Sequence, residues 1–178
     1  MNWQSLPPLL ERRDELAVVV GPDRCVYALG GFGGNRNATL RTVERFDVHT
    51  QDWQPIAPMK EPRRALSAVA LPDGIYVIGG YNGAAQGVKG KTQTQQYLSS
   101  VEKYDFATRR WSSVAKLNEP RCSLAAVASQ DCQYIYAIGG FNGAPTDTVE
   151  RYDVISNTWE VVTSMIHMRF MHTATIIS

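Results

Sequence analysis

Hydrophobic residues in this chain come in short runs, broken at close intervals by turn formers. The middle of the sequence shows the pattern most clearly. Segments Ala65–Leu71, Gly74–Gly80, Ser100–Asp105 and Arg110–Ala115 are rich in Val, Ile and Tyr, and Pro72-Asp73-Gly74 and Asn82-Gly83 punctuate them. β-branched and aromatic residues suit a pleated, half-buried surface, while Gly, Pro, Asn and Asp supply the turns. No window long enough to matter repeats its apolar residues at the helical period. The pattern predicts short strands throughout and no helix.

These strands recur on a ruler. Double glycines end three apolar runs, at Gly30-Gly31, Gly79-Gly80 and Gly139-Gly140, each preceded by a tyrosine at the same offset: Tyr27, Tyr76 and Tyr136. Downstream stand Val43-Glu44-Arg45-Phe46-Asp47, Val101-Glu102-Lys103-Tyr104-Asp105 and Val149-Glu150-Arg151-Tyr152-Asp153. Seven residues after each of those aromatics comes Trp53, Trp111 or Trp159, and ten residues later Arg63, Arg121 or Arg169. Trp3 and Arg13 extend the ruler backward, and residues 172–178 match the run that begins at Ser67. The stretch from double glycine to aromatic-Asp varies, at 16, 25 and 13 residues, and therefore predicts a loop.

In this order and spacing, the double glycine, the aromatic-Asp and the tryptophan resemble the Kelch repeat, over nearly the whole chain. The resemblance implies an all-β fold, a Kelch β-propeller fragment of three complete four-stranded blades plus a strand from a blade at each end. The expected boundaries are residues 1–8 for the last strand of a preceding blade, 15–58, 65–116 and 123–164 for the blades, and 171–178 for the first strand of a following one.

Elementary packing fits that expectation. A blade covered on both faces tolerates strands that are apolar without strict alternation, such as Ile75-Tyr76-Val77-Ile78. The double glycines suit strand ends where two backbones come close. Trp53, Trp111 and Trp159 are expected to fill the wider outer gaps between blades. Glu44, Glu102 and Glu150 are expected to pair with the recurrent arginines, since a buried charge needs a partner. The alternative is a ring of arginines facing a ligand.

Known propellers close with about 4–8 blades. Three explanations compete for the open edges: a longer gene product, which is favoured, self-association of two copies, or an open arc of poor solubility.

Composition narrows the functional classes. The chain has 178 residues, 44% of them hydrophobic and 20% charged, with a net charge of +1. That balance is globular and gives no general pull toward nucleic acid or an anionic membrane. No apolar run approaches the roughly 18 residues of a membrane span, and Met1–Pro7 lacks the basic and apolar regions of a signal peptide. A cytoplasmic or nuclear location follows as the expectation. Cys25, Cys122 and Cys132 form no CxxC pair and read as inert thiols, and the sequon Asn37-Ala38-Thr39 reads as a chance match.

Chemistry is sparse. His49, His167 and His172 show no recognisable metal-ligand spacing, and no GxSxG elbow is present. Residues Ala85–Thr92 fit a permissive phosphate-loop pattern, but the next segment leads to a strand rather than a helix, so the match reads as a solvated loop. No catalytic residue, cofactor or metal is expected.

The resemblance instead implies a partner surface on the loops after the double glycines and between blades. Just after the double glycines stand Phe32, Tyr81 and Phe141, read as three exposed aromatics that either bind a partner or pack on neighbouring blades. After the recurrent arginines stand Asp14, Arg64, Cys122 and Phe170, where serine is frequent in some ubiquitin-ligase adaptors; without it, their acidic-peptide ligands are not expected in detail. Arg36, Asn37, Asn82 and Asn142 are candidate polar contacts. The expected function is binding a protein or peptide, as the substrate-recognition part of a ubiquitin-ligase adaptor of the BTB–Kelch type, whose BTB and BACK regions are absent here. The alternatives are an actin-associated scaffold and, from another class, a Kelch-fold metal-dependent enzyme.

Overall fold

A computed structural model describes residues 3–35, 37–83 and 96–177. It contains strands and turns and, among the described residues, no helix. A short strand, β1 (Arg13–Asp14), comes first. The first blade then takes β2 (Ala17–Val20) and β3 (Val26–Leu29). Short strands β4 (Phe32–Gly33) and β5 (Ala38–Thr39) follow before the blade resumes with β6 (Val43–Asp47) and β7 (Asp52–Ile56). The second blade is β8 (Ser67–Leu71), β9 (Gly74–Ile78), β10 (Val101–Asp105) and β11 (Arg110–Val114). The third is β12 (Ala125–Ala128), β13 (Tyr134–Ile138), β14 (Thr148–Asp153) and β15 (Thr158–Ser164). Each blade is an antiparallel sheet in chain order, and β1, β4 and β5 form a separate three-stranded ribbon.

Adjacent hairpins explain the sheets, and burial explains their stacking. All of β9 is buried. Its side chains alternate between faces: Ile75 and Val77 join Tyr27, Leu29, Val43 and Trp111 against the first blade. Tyr76 and Ile78 join Ile135, Ala137, Tyr152 and Trp159 against the third. The inner strands β2, β8 and β12 lie side by side in that order. Blades therefore stack like a fan around an axis.

The recurrent residues each perform one packing task. The indole N–H groups of Trp53, Trp111 and Trp159 donate to Pro7, Ala57 and Ala115 oxygens at 3.0, 2.7 and 2.9 Å, each tying a blade to the segment before it. Asp47, Asp105 and Asp153 accept from backbone N–H groups of the turns that follow, at His49, Thr108 and Ser156. Those bonds hold all three carboxyls below the usual aspartate range. Each turn also carries a left-handed residue, Gln51, Arg109 or Asn157.

Beneath the loop face the arginines and glutamates pair as expected. Arg13, Arg63 and Arg121 reach Glu44, Glu102 and Glu150 of the next blade at 2.5, 2.8 and 2.7 Å. All six side chains are almost fully buried. Each carboxylate also accepts two backbone N–H groups of the connecting segment; for Glu102 these are Lys60 at 2.8 Å and Glu61 at 3.1 Å. Each guanidinium donates to the first glycine's carbonyl, Gly30, Gly79 or Gly139, and to Thr42, Ser100 or Thr148. Those hydroxyl residues occupy one position of the ruler that the sequence did not single out. Arg169, the next in the series, is exposed.

The double glycine is required where the next connection presses on it. A Cβ on Gly79, at φ +60°, would lie 2.4 Å from the Arg121 carbonyl oxygen. The N–H of Gly80 donates to that same oxygen at 2.8 Å. No side chain fits there.

The two end segments differ from expectation. Residues 3–8 and 171–177 are not strands, because no ladder partner stands beside them among the described residues and Pro7-Pro8 offers no N–H donors. They still meet the blades: Pro7 receives Trp53, while Ala174, Thr175 and Ile176 line one cavity with residues of β2, β8 and β12.

Three truncations test this packing in denaturant unfolding. Trp111→Ala should cost about 3–5 kcal/mol. Arg121→Ala and Glu150→Ala should each cost about 3–5 kcal/mol, because either leaves a buried charge uncompensated. Combined, they should cost clearly less than their sum; strict additivity would show that the two groups do not act together.

Candidate functional site

The loop face is built by a motif that repeats beside each double glycine. The residue after each recurrent arginine pairs with the aromatic after the double glycine. Asp14 pairs with Phe32 inside the β1–β4–β5 ribbon. Arg64 pairs with Tyr81, and Cys122 with Phe141. Backbone bonds close both rungs, at 3.1 and 2.8 Å for Arg64–Tyr81 and 3.0 and 2.9 Å for Cys122–Phe141. A third partner adds to each, Thr39, Tyr97 or Pro145. The rungs fix where these side chains emerge.

One residue further on, Glu15, Ala65, Ser123 and Met171 all adopt left-handed backbone, with φ between 48° and 54°. Ala65 N–H donates to Glu15 O, Ser123 N–H to Ala65 O and Met171 N–H to Ser123 O, at 2.9, 2.7 and 2.9 Å. This chain of bonds runs around the axis and joins the blades at the loop face. The non-glycine αL geometry costs about 1–2 kcal/mol at each position.

Inside the rungs lies a pocket of about 670 Å³. It brings together five residues expected from sequence: Arg64, Tyr81, Cys122, Phe141 and Phe170. Tyr81 and Tyr97 ring centroids are 5.4 Å apart, Tyr97 and Phe141 5.9 Å, Phe141 and Phe170 5.4 Å. These are the separations of packed aromatic pairs. The Arg64 guanidinium lies over Phe32 at 5.0 Å and over Tyr81 at 5.1 Å. A continuous belt results, Phe32–Arg64–Tyr81–Tyr97–Phe141–Phe170, crossing all three blades.

That belt corrects the reading of Phe32, Tyr81 and Phe141 as exposed aromatics. All three are half-buried, because each packs on a neighbour supplied by another loop. Phe170, by contrast, is exposed, and Cys122 is buried. The pocket does not gather every expected contact. Asn82 turns to Glu61 at 3.5 Å, while Asn37 and Asn142 are exposed outside it. Arg36 and the phosphate-loop match at residues 85–92 lie outside the described residues.

Sequence reasoning missed Tyr97, Glu15, Leu16, Leu66, Leu124 and His172 in the lining. The leucines were within reach: each stands three residues after a recurrent arginine. Tyr97 gave no such signal, since it follows the loop of variable length.

The pocket's chemistry suits docking. Burial pushes the Tyr81 phenol up, against the opposing pull of Arg64, so it stays neutral near pH 7. Burial likewise raises the Cys122 thiol, which keeps it protonated and weakly nucleophilic. Burial and then the Arg169 charge lower the His172 imidazole, favouring its neutral form. Among the described residues no group of three His, Cys, Asp or Glu side chains is placed to hold a metal.

A family model for the KLHDC2/KLHL20/DRC7 Kelch-repeats domain matches residues 2–178. The chain belongs to the Kelch-repeat family. Its relatives include Kelch-like protein 23 of Homo sapiens, 30% identical over 90% of this chain and 35% of that protein. Kelch-like protein 28 of Homo sapiens is 36% identical over 74% of this chain and 23% of that protein. A RING finger domain and kelch repeat-containing protein of Dictyostelium discoideum is 31% identical over 85% of this chain and 14% of that protein. The chain thus spans between about a seventh and about a third of these relatives. The solved structure of YjhT shares the fold, with TM-score 0.70 at 17% identity, covering 86% of this chain and 53% of that one. Kelch repeats of Kelch-like proteins are generally protein-interaction modules, and the rungs, belt and pocket are this Kelch chain's own version of the loop face.

Proposed function

We propose that this chain binds a partner protein through the loop-face pocket, taking an extended segment across its three blades. The aromatic belt carries the reading. Half-buried aromatic rings around a concave floor offer large contact area with little side-chain freedom left to lose, which is how interface hot spots work. The volume of about 670 Å³ lies in the range of sites that enclose a few side chains.

A finer role is substrate recognition within a cullin-type ubiquitin ligase. Its support is the kinship with Kelch-like proteins 23 and 28 and the repeats written as GG-Y/F-N-G and V-E-R-Y-D. Fused to BTB and BACK regions, the chain should drive ubiquitination of its bound partner; a stably bound partner left unmodified by that fusion contradicts the adaptor role.

Binding itself is tested with a displayed library of random dodecapeptides selected on the wild-type chain. Selected peptides should lose most of their affinity for Phe141→Ala and Tyr81→Ala, while Val48→Ala, at a remote exposed site, should bind as wild type. Undiminished binding to both folded aromatic variants overturns the reading.

A further inference from the structure

The connection that leaves the third blade is folded like the two interior connections. Met59, Leu117 and Met165 N–H groups donate to Arg41, Ser99 and Asp147 oxygens at 2.9, 2.9 and 2.8 Å. Arg63, Arg121 and Arg169 N–H groups donate to Leu40, Leu98 and Thr146 oxygens at 3.0, 3.0 and 3.2 Å. The Arg169 side chain is posed as Arg13 is, with Nε donating at 3.4 Å to the oxygen two residues back, His167 or Glu11. Arg13, Arg63 and Arg121 then reach a glutamate with a terminal nitrogen. The terminal nitrogens of Arg169 donate to no described residue. Nor do the N–H groups of Ile166 and His167, which stand where Lys60 and Glu61 hold Glu102.

The third blade's outward face lacks cover that its equivalents have. Tyr27 and Leu29, like Tyr76 and Ile78, are at most 3% exposed beneath the next blade. Their counterparts Tyr136 and Ile138 are only half-buried, as is Met165 where Met59 and Leu117 are fully buried. At the other end, a single segment stands in for a blade. Residues 3–13 give Glu44 its arginine and Trp53 its acceptor, yet Trp53 is half-buried where Trp111 and Trp159 are buried. Trp3 to Arg13 and Trp159 to Arg169 are the same stretch of the repeat. One end therefore holds a glutamate with a replaceable partner, and the other an arginine with none.

We infer that two copies of this chain close head to tail into a six-bladed ring, in which residues 159–169 of each copy replace residues 3–13 of the other and Arg169 pairs with Glu44 of the partner copy. The Ile166 and His167 N–H groups complete that carboxylate's shell, as Lys60 and Glu61 do for Glu102. The partner copy's β2 takes the place of residues 172–177, which match an inner strand in sequence. Six blades lie within the range of about 4–8 at which propellers close. This chain matches 53% of the solved YjhT chain, so two copies carry about as much chain as that example of the fold. A head-to-tail contact that closes leaves no open end, and exchange of an equivalent element is a low-cost route to it. What is gained is a whole blade face over Tyr136, Ile138 and Trp53 in place of one segment. The ring does not depend on what the loop face binds.

Sedimentation equilibrium of the full chain over a rising concentration series tests this. Wild type should pass from one copy to two and stop there. Arg169→Gln changes a side chain that is exposed in the single copy, so the fold is kept. It should weaken the dimer by about 10- to 100-fold, the loss expected for a charged hydrogen-bonded contact. Arg13→Gln removes the internal competitor for Glu44 and should strengthen the dimer. Opposite effects from two equivalent arginines separate the exchange from general adhesion of open edges. A dimer that Arg169→Gln leaves unchanged, or assembly that runs past two copies, overturns the inference. A single copy at every soluble concentration also overturns it and leaves the third blade's face to a blade of another chain.

Discussion

A buried arginine that belongs to one connection and a buried glutamate that belongs to the next blade hold this architecture together. Two opposite charges out of water need close pairing and further hydrogen bonds to offset their desolvation. Here Glu102 takes two backbone N–H groups besides Arg63, and Arg63 gives its terminal nitrogens to Gly79, Ser100 and Glu102, leaving its buried Nε without a partner. The arrangement recurs around Glu44 and Glu150. Because the arginine's own carbonyl then accepts from the second glycine of the preceding blade, one residue fastens three pieces of chain. The double glycine follows from that crowding.

Function grows from the same constraint. With the arginine and the double glycine pinned, the residue after each is set at a fixed height and direction on the loop face. Those positions are then free to differ: Asp14, Arg64, Cys122 and Phe170 on one series, Phe32, Tyr81 and Phe141 on the other. A frame repeated from blade to blade, with neighbours that differ, turns one packing solution into a surface with a charged side and an apolar side. The left-handed ring at Glu15, Ala65, Ser123 and Met171 forms the collar between this surface and the core.

The four-stranded blades, the tryptophan seals and the arginine–glutamate pairs were legible because each is a repeated packing task at a fixed spacing. Five pocket residues were legible for the same reason. Tyr97 was not, because it reaches the pocket through a loop whose length changes from blade to blade. The half-burial of Tyr81 was also out of reach, since it depends on Arg64 and Tyr97 lying across it. Nor does spacing reveal that Arg64 donates no side-chain bond while Arg63 next to it donates several; that difference exists only once the rungs form. The end strands were expected from local pattern alone, but a strand also needs a neighbour to pair with.

The double-glycine turns are interior joints between blades rather than surface loops. Amide hydrogen exchange under native conditions tests this at Gly80, whose N–H donates to Arg121 O. Gly80 should exchange as slowly as Val77 in the buried strand β9, through opening of the blades themselves. Exchange at Gly80 as fast as at the exposed Gly143 would contradict it.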